Sequence, residues 1–377
     1  MKEQYPGQGW TQRHDGAGAA ARPSPHAGDK SALSALPTGT SLQGAKFQIE
    51  GLLHDQSQFS FVYRCLQLGS LRRPVVIKEY FPRDFVVRGP NATVSVDTKA
   101  HQEVFQRSCD SFLSEGQRIV DIHHPNVVKA YEAFKEKGTA YLVMELIDGV
   151  PLSRWLDAAS IDEAALLRTL NGLLDALQAI HAVPSPDGAV TKYLIHRDLK
   201  PDNIMMRKDG TPVIIDFGAA RFTVGTHTQD LTKVFTPGFS PPEQTSNLPG
   251  NRQGPYTDLY ALGATMYAWL TGSTPVDAND RMRIMIMNQL DPLQPLSERL
   301  AARKFDVRIL STIDRCLELD SRKRPQSVDE VRSLLTQPQS AGSEENAGPR
   351  GWLRRLVMWV GGGILVLVML FFLRLLI

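Results

Sequence analysis

Cysteine is scarce in this chain. Cys65, Cys109 and Cys316 are the only three in 377 residues, and they are scattered with no metal-ligand spacing. That excludes a disulfide framework and a thiolate metal centre, and it suits small buried side chains in a reducing compartment. Neither sign of charge is in excess. A formal net charge of +2, from 42 basic and 40 acidic residues, sets up no broad basic field, so nucleic acid is not expected as a partner. The N-terminus, Met1-Lys2-Glu3-Gln4-Tyr5, leads into no apolar core, which argues against a secretory signal. Residues 1–44 are nearly devoid of branched apolar side chains and rich in Gly, Ala, Pro and Ser. Such a segment buries too little surface to offset its ordering entropy, and disorder is expected there.

What is present begins near Phe47. Up to Lys78, β-branched and aromatic residues cluster in short runs, Phe59–Tyr63 and Val75–Ile77, which predict a strand-rich first lobe. A helix is predicted over 101–121, with Phe105, Cys109, Phe112, Gly116 and Ile119 on one face, ended by His124-Pro125-Asn126. Val127–Phe134 and Thr139–Leu146 read as two more strands across a Lys135-Glu136-Lys137-Gly138 turn. Beyond Gly149 the period becomes helical. Ser160-Ile161-Asp162-Glu163 reads as a capping box ahead of Leu166, Leu170, Leu173, Leu174, Leu177 and Ile180. Asp258–Leu270 is apolar on nearly every face and should lie buried at the centre of a helical lobe. Ser327-Val328-Asp329-Glu330 opens a last helix, ending near Leu335. Strands first and helices after them predict an α+β, two-lobed architecture over 45–337, divided at 148/149, with a cleft between the lobes.

Residues 338–351 form a polar linker. After it, Leu356–Leu373 is an uncharged run of 18 residues, long enough to cross a hydrocarbon core with help from its flanks. A transmembrane helix is expected over 353–375. Arg350, Arg354 and Arg355 precede the run and only Arg374 follows it, so the main domain is expected on the cytoplasmic side of the inner membrane.

The chemistry concentrates in Ile195-His196-Arg197-Asp198-Leu199-Lys200-Pro201-Asp202-Asn203-Ile204. A carboxylate to take up a proton, an ammonium to face phosphate oxygens and an amide oxygen for a divalent cation stand within six residues. That is equipment for moving a phosphoryl group onto a hydroxyl. The stretch His196–Asn203 resembles the catalytic loop of eukaryote-type protein kinases, and Lys200 resembles the Ser/Thr branch. Val75-Val76-Ile77-Lys78 is similar to the family strand whose Lys holds the ATP α- and β-phosphates, and Glu115 stands where its ion-pair partner would be. Asp216-Phe217-Gly218, after the apolar Val213-Ile214-Ile215, resembles the metal-holding segment.

The resemblance implies a two-lobed protein kinase fold. Asp198, Lys200, Lys78 and Glu115 would be the catalytic groups, with Asn203 and Asp216 on Mg²⁺ (Mn²⁺ also being suitable). Val62, Val76, Met144 and Glu145 would border the adenine pocket. Thr236–Glu243 resembles the substrate-docking segment, with Glu243 expected to pair with Arg324 and Asp258 to brace the catalytic loop. Thr223, Thr226, Thr228 and Thr232 are candidates for activating phosphorylation, facing Arg197. The family's Gly-x-Gly-x-x-Gly is not matched, since Asp55, Ser57 and Ser60 occupy the glycine positions. Ser57 and Ser60 would then offer hydroxyls where glycines expose backbone amides. The implied activity is transfer of the ATP γ-phosphate to protein Ser or Thr. The alternative is a membrane-tethered pseudokinase that binds partners without catalysis. The run Ile77–Pro82 looks most like bacterial eukaryote-like kinases.

Overall fold

The computed structural model describes residues 35–54, 57–70, 72–96, 99–155, 157–184, 193–217, 235–245 and 252–337. Its first lobe grows from the β-branched and aromatic runs. Strands β1 (Ser41–Leu42), β2 (Phe47–His54), β3 (Ser60–Gln67) and β4 (Arg73–Tyr80) are followed by a hairpin of β5 (Val86–Arg88) and β6 (Val94–Val96). Helix α1 (Lys99–Val120), β7 (Ala130–Glu136) and β8 (Thr139–Glu145) complete the lobe. The main sheet runs β1-β2-β3-β4-β8-β7, all antiparallel, with Lys78 of central β4 opposite Val62 on one side and Leu142 on the other.

Period-two alternation gives β4 two faces. Tyr80 meets α1, its ring 5.8 Å from Phe105 and 5.6 Å from Phe112. Phe105, Cys109, Phe112 and Ile119 are buried on the helix face that the sequence predicts. Gly116 on that face lets helix and sheet close up, because a Cβ there would lie 3.1 Å from Ala133 Cβ.

The second lobe is helical. It contains β9 (Gly149–Pro151), α2 (Glu163–His181), β10 (Ile204–Arg207), β11 (Pro212–Ile214), α3 (Pro242–Thr245), α4 (Pro255–Thr271), α5 (Ala278–Asn288), α6 (Leu296–Arg299), α7 (Val307–Cys316) and α8 (Val328–Thr336). Helix α4 is buried along most of its length and packs against α2 and α7, as its all-round apolar sequence predicts. A small sheet in this lobe has the order β11-β10-β9. It is tied to the segment after α1 by Val128 N–H to the Ile214 carbonyl (2.9 Å) and Ile214 N–H to the Asn126 carbonyl (2.8 Å).

Three expectations need adjustment, and a fourth is not reached by the described residues. Order reaches back into the segment expected to be disordered to residue 44, since Leu36 and Leu42 are buried and β1 joins the sheet edge. The cap of α2 is Asp162, whose carboxylate accepts from Ala165 N–H at 2.6 Å, and not Ser160. Ser160 instead donates to the Asp157 carbonyl in a preceding 3₁₀ turn, because Ile161 and Asp162 remain extended. Strand β7 starts at Ala130, Val127 making only a parallel bridge to Ile214. The expected membrane span at 353–375 lies outside the described residues, and no helix among the described residues is long and apolar enough to cross a membrane.

Candidate active site

Asp258 at the N-terminal end of α4 explains why residues 195–204 adopt a fixed loop. Its carboxylate accepts from His196 N–H and Arg197 N–H, both at 2.8 Å, and meets His181 Nε2 at 2.9 Å. Burial works against the charge, but His181, His196 and the Arg197 amide outweigh it and hold the Asp258 pKa below the ordinary carboxylate range. The bond to Arg197 N–H also pins a strained residue, since Arg197 has φ +67°, which is costly for a long side chain. His196 is fully buried, and burial lowers its pKa, which favours the neutral ring. Its Nε2 then donates to the Ile215 carbonyl at 3.0 Å, while Nδ1 accepts from Asp198 N–H at 3.3 Å.

Asp198 is thereby presented with both carboxylate oxygens engaged. Oδ1 accepts from the Thr236 hydroxyl at 2.9 Å, and Oδ2 accepts from Asn203 Nδ2 at 3.0 Å. The Lys200 ammonium lies 3.3 Å from Oδ2. Asn203 Nδ2 also donates to the Asp198 carbonyl at 2.7 Å, so both amide protons serve the loop and Oδ1 is left as its donor oxygen. The 3₁₀ turn Pro201–Asn203 sets this geometry, with proline fixing φ at its first position.

Across the cleft, Lys78 is almost fully buried and forms an ion pair with Asp216, with a second bond to the Phe217 carbonyl at 3.4 Å. Asp216 has φ +57°, which turns its carboxylate toward the ammonium. Burial raises its pKa, but Lys78 foremost, then His196 and Lys200, bring it below the ordinary range, so it is ionised at neutral pH. Among the described residues Lys78 pairs with Asp216 and not with Glu115, which is buried on the sheet side of α1. A buried ammonium needs one carboxylate at contact distance, and here Asp216 supplies it.

Val76 lies opposite Met144 in the ladder, and both are buried. Glu145 ends β8, its carboxylate 2.9 Å from Arg207 Nη2. Val62 is half-buried opposite Lys78. Ser60 is buried and its hydroxyl donates to Ser57 Oγ at 3.2 Å, while Phe59 N–H donates to the same oxygen at 3.2 Å. The two serines thus stabilise their own turn. Asp55 lies outside the described residues, as do Thr223, Thr226, Thr228 and Thr232.

The docking segment is anchored as the sequence implies. Arg324 reaches Glu243 with both terminal guanidinium nitrogens, at 2.7 and 3.0 Å, in a buried bidentate pair that Thr257 joins at 3.0 Å. Gln244 Nε2 donates to the Arg197 carbonyl at 2.6 Å, linking that segment to the catalytic loop. Sequence reasoning missed the direct bond from Thr236 to Asp198 and the role of His181. Only the position of Thr236 ahead of Pro237-Gly238 hints at the first, and nothing in the sequence hints at the second.

Two oxygen donors, from the Asn203 amide and the Asp216 carboxylate, suit a hard divalent cation that completes its shell with water and phosphate oxygens. No group of three or more His, Cys, Asp or Glu side chains that could hold a metal without substrate is found among the described residues.

Known proteins resemble this chain along most of its length. A family model described as the protein kinase domain matches residues 88–338, beginning beyond Lys78. Serine/threonine-protein kinase D of Synechocystis sp. is 30% identical over 292 residues, which is 76% of this chain and 50% of that protein. Serine/threonine-protein kinase Pkn1 of Myxococcus xanthus is 32% identical over 204 residues, 52% of this chain and 28% of that one. The chain thus spans half or less of the length of these relatives. A solved structure named PpkA-294, apo form, is 32% identical with a TM-score of 0.66, covering 80% of this chain and 99% of its own. The Mycobacterium tuberculosis PknI kinase domain is similar in fold, with a TM-score of 0.52 at 18% identity, covering 80% of this chain and 98% of its own.

Proposed function

Since this chain belongs to the protein kinase family, we propose that it transfers the γ-phosphate of ATP to Ser or Thr hydroxyls of proteins. The observation that carries this reading is the Asp198 carboxylate, held by Thr236 and Asn203 with Lys200 at 3.3 Å. In this arrangement Asp198 orients the acceptor hydroxyl and takes up its proton as the new bond to the γ-phosphorus forms and the bond to the β–γ bridging oxygen breaks, releasing ADP. Lys200 and Lys78 would offset negative charge on the phosphates, and Asn203 and Asp216 would hold Mg²⁺, whose charge would stabilise the phosphoryl group in transfer. Lys78 has to exchange its contact with Asp216 for phosphate oxygens, leaving the carboxylate to the cation.

Two further elements belong to the proposal. Phosphorylation at Thr223, Thr226, Thr228 or Thr232 regulates the site through Arg197, and mass spectrometry finding that loop unmodified in fully active protein would sink the idea. The run Leu356–Leu373 anchors the protein in the inner membrane with the kinase domain in the cytoplasm.

Radiolabelled ATP with Mg²⁺ and a general protein acceptor tests the reaction. Wild type is expected to label protein, and Asp198→Ala and Lys78→Met to lose about 10²-fold or more, the scale typical of a removed acid–base or positioning group. The rival reading, a pseudokinase scaffold, draws on the serine-bonded loop and the Lys78–Asp216 pair. Folded wild type that labels nothing, like both variants, would establish it.

A further inference from the structure

Glu79, the residue after Lys78, is completely buried on the face of β4 opposite α1. Four donors saturate its carboxylate. Oε1 accepts from the Tyr141 hydroxyl at 2.8 Å and Arg88 Nη1 at 3.0 Å, and Oε2 from the Tyr63 hydroxyl at 2.8 Å and Arg88 Nη2 at 2.7 Å. Burial and the Glu79 charge raise the pKa of both phenols, so they stay protonated donors. Arg88 comes from the hairpin inserted between β4 and α1. Its guanidinium also lies 4.7 Å from the centre of the Phe81 ring and donates to the Ala92 carbonyl at 3.1 Å. Tyr63 in turn accepts from Leu36 N–H at 2.9 Å, bringing in the segment before β1.

The hairpin has a second attachment. Val94 N–H of β6 donates to the Lys137 carbonyl at 2.7 Å, in the turn between β7 and β8, and β6 packs on α1. Gly138 permits that approach, since a Cβ there would collide with the Val94 carbonyl oxygen. The chain from Lys78 to the start of α1 is therefore clamped at Glu79, one residue from the ammonium, and again at Val94. A buried ion pair is poor evidence for stability alone, because apolar side chains of like volume serve as well. A planar fork on a carboxylate adds a fixed angle and distance.

We infer that Arg88 is a positioning residue for phosphoryl transfer, its two-pronged bond to Glu79 setting where β4 holds Lys78 relative to α1, which bears Glu115. The inference rests on the kinase reading for its consequence in catalysis, but its geometry can be tested without turnover. The full chain would be compared with Arg88→Met, Arg88→Lys and the double variant Glu79→Gln/Arg88→Met. Each would be examined by thermal unfolding, by fluorescent-nucleotide titration with Mg²⁺, and by hydrogen exchange of the α1 amides. Arg88→Met leaves a buried carboxylate without its cation and is expected to melt lower. The double variant removes that charge and is expected to recover the melting temperature. Having no fork, it is still expected to bind nucleotide about 10-fold more weakly, a smaller loss than the roughly 10²-fold that a 1 Å misplacement costs a reaction rate. It should also exchange faster over the first turns of α1. Arg88→Lys keeps the charge and should share the weakened binding. Recovery of nucleotide affinity and α1 protection along with the melting temperature in the double variant would reduce Arg88 to charge compensation and overturn the inference. Wild type that binds no nucleotide would defeat the kinase reading instead, and α1 exchange would then decide the positioning role.

Discussion

Asp258 touches no reacting atom, yet three elements converge on it. Its pKa is depressed in the folded chain, so the stability it contributes is complete above the unfolded value, about 3.9 for an aspartate, and is lost as pH falls through the folded value. Asp258→Asn keeps the shape but sets an amide against His181 and the amides of His196 and Arg197. It is expected to cost about 3–5 kcal/mol at pH 7, the range for removing one partner from a buried charged cluster. Denaturant melts across pH should show the difference between variant and wild type shrinking below about pH 4. A difference that stays constant to pH 3 would refute this account. At the same scale, Asp198, Asn203 and Asp216 each sit within a short local motif, which is why the sequence singles them out as candidates. The partner of Lys78 is not singled out in this way, because choosing Asp216 over Glu115 depends on how β4, α1 and the loop after β11 approach one another.

Elements were legible where the sequence carried a sustained pattern or a cap, and less by length alone, since α5 and α7 exceed α8 in length yet only α8 was read. Helices α1 and α2 show their period over several turns, α4 is marked by an apolar sequence on every face and α8 by its Ser327 cap, and tertiary packing agrees with each. The β5–β6 hairpin has three residues per strand, too few for any alternation to register, and β1 has two. Both form because distant groups hold them: Arg88 finds Glu79, and Leu42 finds the core. The start of α2 shows the opposite failure: the sequence reads as a capping box at Ser160, and the structure has a simple Asp162 cap with Ala165, which has no side-chain acceptor, at the third position. Ser160 and Asp162 are both good caps, and the extended backbone of Ile161 and Asp162 gives the role to Asp162. Asp162→Ala is expected to lower stability by about 1 kcal/mol, and Ser160→Ala by a few tenths at most. Equal losses for the two variants in urea melts would return the cap to Ser160.

Over the whole molecule, strands before helices sufficed to predict two lobes, because a change of period from two to 3.6 survives any detail of packing. The relation of those lobes to a membrane is argued from the run Leu356–Leu373, which has no charge from end to end and carries arginines mainly on its N-terminal side. A single arginine at the middle of such a span costs about 2.5–3.5 kcal/mol on the insertion scale, enough to reverse a marginal segment. The full chain expressed in bacteria is expected to sediment with membranes, to resist high salt and to be released by detergent. Leu367→Arg is expected to shift much of it to the soluble fraction while leaving phosphoryl transfer unchanged, since every group placed around Asp198 lies before residue 338. High salt separates this from the alternative of a basic face on anionic lipid, because such binding is screened and an inserted helix is not. Intact wild-type protein recovered in soluble fractions without detergent would remove the anchor and leave a kinase domain whose access to substrate owes nothing to the bilayer.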